Sequence, residues 1–172
     1  MILMGADLAS YKTGLFFLDT DKIVFKSSTL HVKNPDMVQR IRDFREKTDK
    51  ILELYKPDLI IVESTYLDKA NKKGKKRGSV QTLKTLEKFH GAFLAQTKPF
   101  SDIHYMAPSE HKETLTGMGN AVKQSTIWEV QRRLGIASMS DDEADAAALV
   151  LTYLVKMKQW DILEMIKTKY EK

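Results

Sequence analysis

Leu59-Ile60-Ile61-Val62-Glu63 is a run of four aliphatic residues closed by a carboxylate and entered through Pro57. An uninterrupted apolar run of this kind suits a strand buried on both faces, as in the parallel part of an α/β sheet. The residue that ends it is a poor choice for stability, because an unpaired buried charge is costly. Ligands of α/β sheets gather at the carboxyl ends of parallel strands. Glu63 therefore reads as a site residue.

Upstream, Met37, Ile41, Phe44, Thr48, Ile51, Leu52 and Tyr55 recur at helical spacing after Pro35, and Pro57 stops that helix. Ile2–Asp7 is a second short apolar run closed by a carboxylate, and 14–18 and 22–26 are β-like runs separated by the turn-forming Asp19-Thr20-Asp21. These three segments read as an antiparallel meander. Downstream, 68–78 is rich in Lys, Gly and Asn without hydrophobic period, and reads as a loop. A helix over 79–96 and a short strand over 103–106 follow, then a helix from Ala107-Pro108-Ser109 to Thr116-Gly117. A glycine-containing connector over 118–121 leads to an amphipathic helix over 122–134, with Ile127, Val130 and Leu134 inward and Gly135 ending it. Two helices, over 141–157 and 160–170, close the chain. Without repeats or a linker, 1–172 reads as one α/β domain with a mixed sheet.

The 172 residues are enough to bury one proper core. The absence of cysteine excludes disulfides, thiolate zinc sites and cysteine nucleophiles. No apolar run approaches the roughly 18–20 residues that span a bilayer, and the N-terminus lacks a basic, cleavable leader. A soluble, cytoplasmic protein is expected. The net charge of +5 suits a polyanionic partner. It is unevenly spread: residues 69–77 (KANKKGKKR) are densely basic and 141–145 (DDEAD) acidic.

Asp7 follows the small residues Gly5-Ala6, which let backbone or ligand approach closely. At the start of the 141–157 helix, Ser140 and Glu143 match a capping box, and acidic residues in a first turn offset the helix dipole. Capping accounts for Glu143 and Asp141. It does not account for Asp145, which stands among Ala144, Ala146, Ala147 and Ala148, residues that imply close packing on a sheet. Asp142 and Asp145, at i and i+3, share one helix face. Clustered carboxylates without cysteine suit a hard cation such as Mg²⁺. Two such ions about 3.5–4 Å apart would serve phosphodiester hydrolysis. A glycosidase pair needs only two carboxylates and fits a basic chain poorly. His31, His90, His104 and His111 lack metal spacing and are expected to be structural or exposed; His111 alone falls near the proposed site.

The order β-β-β-α-β-α-β-α resembles the ribonuclease H-like fold. Within it the chain resembles the RuvC-type Holliday junction resolvases. Gly5-Ala6-Asp7-Leu8-Ala9-Ser10 with Thr13-Gly14 is similar to that family's opening G-I-D-P-G-S and T-G. Glu63 matches its acidic residue closing the fourth strand, and Tyr66 falls where the family carries a junction-wedging aromatic. Ala107, Lys112, Thr114, Gly117, Gly119, Ala121 and Lys123 follow its A-x-x-x-x-K-x-T-x-x-G-x-G-x-A-x-K spacing, and Asp142-Glu143-Ala144-Asp145-Ala146 its D-x-x-D-A helix start.

The resemblance implies a mixed five-stranded sheet, its first three strands antiparallel, flanked by helices. It also implies a homodimeric endonuclease that nicks opposed strands of four-way DNA junctions, with other branched DNA as further substrates. Mg²⁺ would be the cofactor, with Mn²⁺ substituting and two ions per active site. Asp7, Glu63, Asp142 and Asp145 would be catalytic metal ligands, and Lys112 and Lys123 would contact phosphate, Lys123 also stabilising developing charge. Tyr66 and the loop cations Lys69, Lys72, Lys73, Lys75, Lys76 and Arg77 would contact DNA. Val80, Leu83, Leu86, Phe89 and Phe93 are candidates for a two-fold interface. Leu8-Ala9 departs from the family's Pro-Gly. That divergence and the lysine-rich loop resemble the phage-encoded branch, which would place the protein in a bacterial host cell and leave branch-migration partners open. Two rivals stand beside this reading: a ribonuclease H-like nuclease of RNA or RNA–DNA hybrid, and a non-catalytic junction-binding protein.

Overall fold

The computed structural model of the chain describes residues 1–65, 80–97 and 101–170. In chain order the elements are β1 (Ile2–Asp7), β2 (Lys12–Asp19), β3 (Val24–His31), α1 (Met37–Tyr55), β4 (Leu59–Glu63), α2 (Val80–Thr97), β5 (Asp102–Met106), α3 (Pro108–Thr116), α4 (Lys123–Leu134), α5 (Asp141–Lys156) and α6 (Trp160–Tyr170). The strands form one sheet of order β3-β2-β1-β4-β5. β1 runs antiparallel to β2 and parallel to β4; β2–β3 is antiparallel and β4–β5 parallel. This is the mixed sheet expected, with its first three strands antiparallel.

β4 is apolar throughout because both its faces are covered. Ile60 and Val62 join Phe44, Leu52, Phe89 and Phe93 in the core beneath α1 and α2. Leu59 and Ile61 face the other core, built from α4, α5 and α6 with Leu115 of α3. β1 divides the same way, with Met4 and Ala6 toward α1 and α2 and Leu3 toward α5. Each layer buries tens of apolar side-chain atoms, at about 25 cal/mol per Å² removed from water.

The expected strand over 22–26 is corrected: β3 begins at Val24 and pairs along its whole length with β2, from Asp19↔Val24 to Lys12↔His31. The turn occupies 20–23, where the Asp19 carboxylate accepts from the backbone N–H groups of Asp21 (3.0 Å) and Lys22 (3.1 Å). β3 lies at the sheet edge with one face largely exposed, so Ser27, Ser28 and Thr29 fit it although they dilute its apolar signal. α1 opens as expected after Pro35, with Asp36 accepting from Gln39 N–H at 2.8 Å. It ends on Lys56 in the left-handed region, immediately before Pro57.

α5 packs closest to the sheet. A Cβ on Gly5 would stand 2.0 Å from the Ala146 carbonyl oxygen, and one on Gly14 only 1.7 Å from that of Asp142. Ala144, Ala146, Ala147 and Ala148 are fully buried. The alanine run thus reflects the close approach expected from sequence. No described helix is long and apolar enough to cross a membrane.

Candidate active site

Side chains alternate along a strand, so Asp7, two residues past Gly5, emerges on the α5 face of β1. Glu63, two past Ile61, emerges on the same face of β4. The strands are parallel with Ala6 opposite Val62, which sets the two carboxylates side by side at one end of the sheet. Gly14 lies opposite Asp7 across the antiparallel pair. Because α5 rests its Asp142 carbonyl against Gly14, the first turn of α5 sits beside Asp7. Ser140 anchors that turn in three ways. Its hydroxyl accepts from Glu143 N–H (3.3 Å), the Glu143 carboxylate accepts from Ser140 N–H (3.4 Å), and its hydroxyl lies 3.1 Å from that of Thr29 on β3. The capping box predicted from sequence is present.

The electrostatics show which carboxylates converge. Burial pushes the Asp7 carboxyl well above its usual range, the charges of Glu63 and Asp145 add to this with a hydrogen bond to Glu63, and Lys123 opposes. Burial also raises Asp145, which the ammonium of Lys123 pulls back without overcoming. Lys123, the first residue of α4, reaches Asp145 at 2.8 Å and Asp141 at 3.7 Å. Burial lowers its pKa, but the Asp145 hydrogen bond and the charges of Asp145, Asp141 and Asp7 outweigh this and raise it. Lys123 is thus a fixed positive charge at neutral pH.

Asp142 lies in the first turn of α5. Its backbone seats the helix on Gly14, and its half-buried side chain makes no hydrogen bond or ion pair among the described residues. Lys112, half-buried on α3, likewise has no ion pair among the described residues; its carbonyl accepts from Thr116 at 2.7 Å. Tyr66, Lys69, Lys72, Lys73, Lys75, Lys76 and Arg77 lie outside the described residues. Of the residues assigned to a two-fold interface, Phe89 and Phe93 are core, while Val80 is exposed and Leu83 and Leu86 half-buried.

Sequence reasoning undervalues His111. It is 2% exposed, and its Nε2 lies 3.4 Å from Glu63 Oε1. The available signal is helical spacing: with Pro108 at the start of α3, His111 and Leu115 fall on one face, and Leu115 is core.

The donor set of Asp7, Glu63, Asp142 and Asp145 supplies only carboxylate oxygens, the chemistry of a hard divalent cation. Burial first, and neighbouring carboxylate charge after it, make Asp7 and Asp145 hold protons more tightly than usual despite Lys123, a cost of ionisation that such an ion would relieve. Among the described residues no three Asp, Glu or His side chains are already drawn together as an ion-enclosing group. Asp7, Glu63 and Asp145 therefore fit a cation in chemistry and convergence, and Asp142 fits it in chemistry.

Comparison with known proteins shows what the chain is similar to. A crossover junction endodeoxyribonuclease RuvC from Chlorobium phaeobacteroides is 27% identical over 164 residues, covering 91% of this chain and 83% of its own. The structure of Thermus thermophilus RuvC superposes with a TM-score of 0.71 at 20% identity, over 92% of this chain and 97% of that one. The same protein in complex with a Holliday junction substrate gives 0.73 at 18% identity, over 91% and 96%. At those identities the structural likeness establishes the ribonuclease H-like fold. The family model for crossover junction endodeoxyribonuclease RuvC matches residues 3–153, from the first strand through most of α5. This chain belongs to the RuvC family of crossover junction endodeoxyribonucleases.

Proposed function

We propose that this chain is a structure-selective DNA endonuclease that resolves four-way junctions by hydrolysing one phosphodiester in each of two opposed strands. The observation that carries the reading is the meeting of Asp7, Glu63 and Asp145 with Lys123 at one sheet end, in a chain of the RuvC family. Asp7, Glu63, Asp142 and Asp145 would hold Mg²⁺, with Mn²⁺ as a substitute and two ions per site. When bound, the ions would activate water and neutralise charge on the phosphorane-like transition state.

The chain's own groups have separable tasks. Asp7 and Glu63, fixed on adjacent strands, set the site's floor; rigid elements hold such groups more accurately than loops. Lys123 is half-exposed and permanently charged, so it can place an ammonium on a non-bridging phosphate oxygen when it leaves Asp145. Lys112 would add a phosphate contact from α3. Tyr66 would wedge the junction, and the 69–77 cations would neutralise backbone phosphates. Symmetric cutting calls for two such sites about a two-fold axis, hence a homodimer, with α2 supplying the interface. The lysine-rich loop favours a phage lineage.

The test is a panel of four-way junction, three-way junction, flap, duplex and RNA–DNA hybrid, each with Mg²⁺ at equal salt. Paired, symmetric nicks in the four-way junction are expected, lost in Asp7→Asn and Glu63→Gln while binding persists. Preferential cutting of the hybrid would move the chain to another nuclease class. Full cleavage by either variant would remove the metal-site assignment.

A further inference from the structure

α3 turns one polar side chain into the protein. His111 is 2% exposed and lies one turn before the core residue Leu115. Its only hydrogen-bond partner among the described residues is Glu63 Oε1, 3.4 Å from Nε2, and its Nδ1 is buried without a partner. An apolar residue of similar volume would fill this space without leaving a polar atom unsatisfied. The histidine is therefore explained by what it does to Glu63.

An ionised carboxylate only accepts hydrogen bonds, so in this pairing the proton sits on Nε2. Nδ1 is then a bare lone pair, and a buried acceptor is left unpartnered more readily than a buried N–H. Glu63 has a long, rotatable side chain, only partly covered at the strand end. The N–H on Oε1 restricts it from the α3 side, and the hydrogen bond Glu63 shares with Asp7 is one that a bound ion would replace. Lys123 acts differently on Asp145: its ammonium satisfies the carboxylate but also competes for the charge a cation needs.

We infer that His111 is a positioning residue for the cation site, its Nε2–H holding Oε1 of Glu63 so that the other carboxylate oxygen faces the metal. This rests on the proposed active site. Partners that orient a ligating group in this way change metal affinity by about 10–100-fold when removed. His111 acts through Glu63, so its loss should appear first in metal affinity and in the metal dependence of cleavage.

The experiment uses the full chain with Mn²⁺ as probe. His111→Leu fills the volume without a donor, His111→Gln returns an amide N–H near the Nε2 position, and Glu63→Gln removes the carboxylate. Mn²⁺ affinity is measured by calorimetry without DNA, the Mg²⁺ concentration for half-maximal junction cleavage is titrated, and melting is followed in chelator. His111→Leu should bind Mn²⁺ about 10–100-fold more weakly and need correspondingly more Mg²⁺. It should melt no lower than wild type in chelator, and His111→Gln should recover most of the affinity. His111→Met replaces the leucine variant if that one does not fold. Wild-type Mn²⁺ affinity in the folded apolar variant, with affinity lost in Glu63→Gln, overturns the positioning role alone. A folded His111→Gln as weak as His111→Leu also overturns it, because the imidazole itself would then be what the ion requires. Wild-type affinity in Glu63→Gln removes the active-site reading and the inference together.

Discussion

Replacing Gly14 with alanine separates the seating of α5 from every charged group in the site. The added Cβ would stand 1.7 Å from the Asp142 carbonyl oxygen, 2.3 Å from its carbonyl carbon and 3.1 Å from its Cα. All three are backbone atoms, so no rotamer change relieves the clash. Either α5 must retreat from β2 by more than about 1 Å or the strand must bend away, and overpacking of this kind costs about 1–3 kcal/mol. For a domain of this size that is several degrees of melting temperature. The chemical consequence should be larger, since Asp145 rides on the same helix while Asp7 and Glu63 stay on the sheet. A misplacement of about 1 Å costs on the order of 10²-fold in rate. Gly91 provides the control: a Cβ there meets nothing within 4 Å. Gly91→Ala should instead stabilise α2 by about 0.5–1 kcal/mol through helix propensity. Thermal denaturation and single-turnover junction cleavage of both variants decide the matter. A Gly14→Ala protein that melts and cuts like wild type would refute the idea that the packing of α5 on β2 sets the spacing of the carboxylates.

The Asp7 carboxyl is raised by burial and by its acidic neighbours, so the folded state keeps its proton to higher pH than the unfolded chain does. In chelator its contribution is therefore unfavourable above the unfolded carboxyl range and grows until pH passes the folded pKa. Asp7→Asn should remove that decline and melt higher than wild type in chelator at neutral pH; equal melting across the pH range counts against the clustering. Lys123→Met should lower cleavage by about 10²-fold or more. Its effect on stability should stay under about 1 kcal/mol, the scale of a part-exposed ion pair, and a large drop in stability would make Lys123 structural. Neutralising Lys72, Lys73, Lys75 and Lys76 together should weaken junction binding and flatten its salt dependence by about 0.9 in log–log slope for each phosphate no longer neutralised. An unchanged slope would remove the loop from the DNA interface.

The features legible in the sequence are those where local chemistry has one good explanation. The apolar runs of β1 and β4 suit buried strands and little else, and their terminal carboxylates stand out against them. Ser140 and Glu143 announce the start of α5, and the alanines around Asp145 announce how near the sheet it lies. β3 is longer than its apolar signal because an edge strand keeps one face in water, so its Ser and Thr residues carry no apolar alternation to the end. His111 is hidden for another reason. Metal spacing is visible among histidines, whereas its partner Glu63 is 48 residues upstream and meets it only through the packing of α3. The Lys123–Asp145 pair likewise joins two helices that no single periodicity connects.

The alternation along β1 and β4 has a consequence for how such a chain can vary. Asp7 and Glu63 share a layer because each lies an even number of steps from a residue that already faces α5. Lengthening either strand by one residue before its carboxylate would leave composition and hydrophobicity nearly untouched. It would nevertheless deliver the acid to the opposite layer, among Phe44, Phe89 and Phe93. Exchange of one aliphatic residue for another is thus tolerated within the strands, whereas insertion, like any side chain at Gly5, is not. Related chains should trade Ile, Leu and Val freely at these positions while confining changes of length to the connectors, where a gained or lost residue reverses nothing.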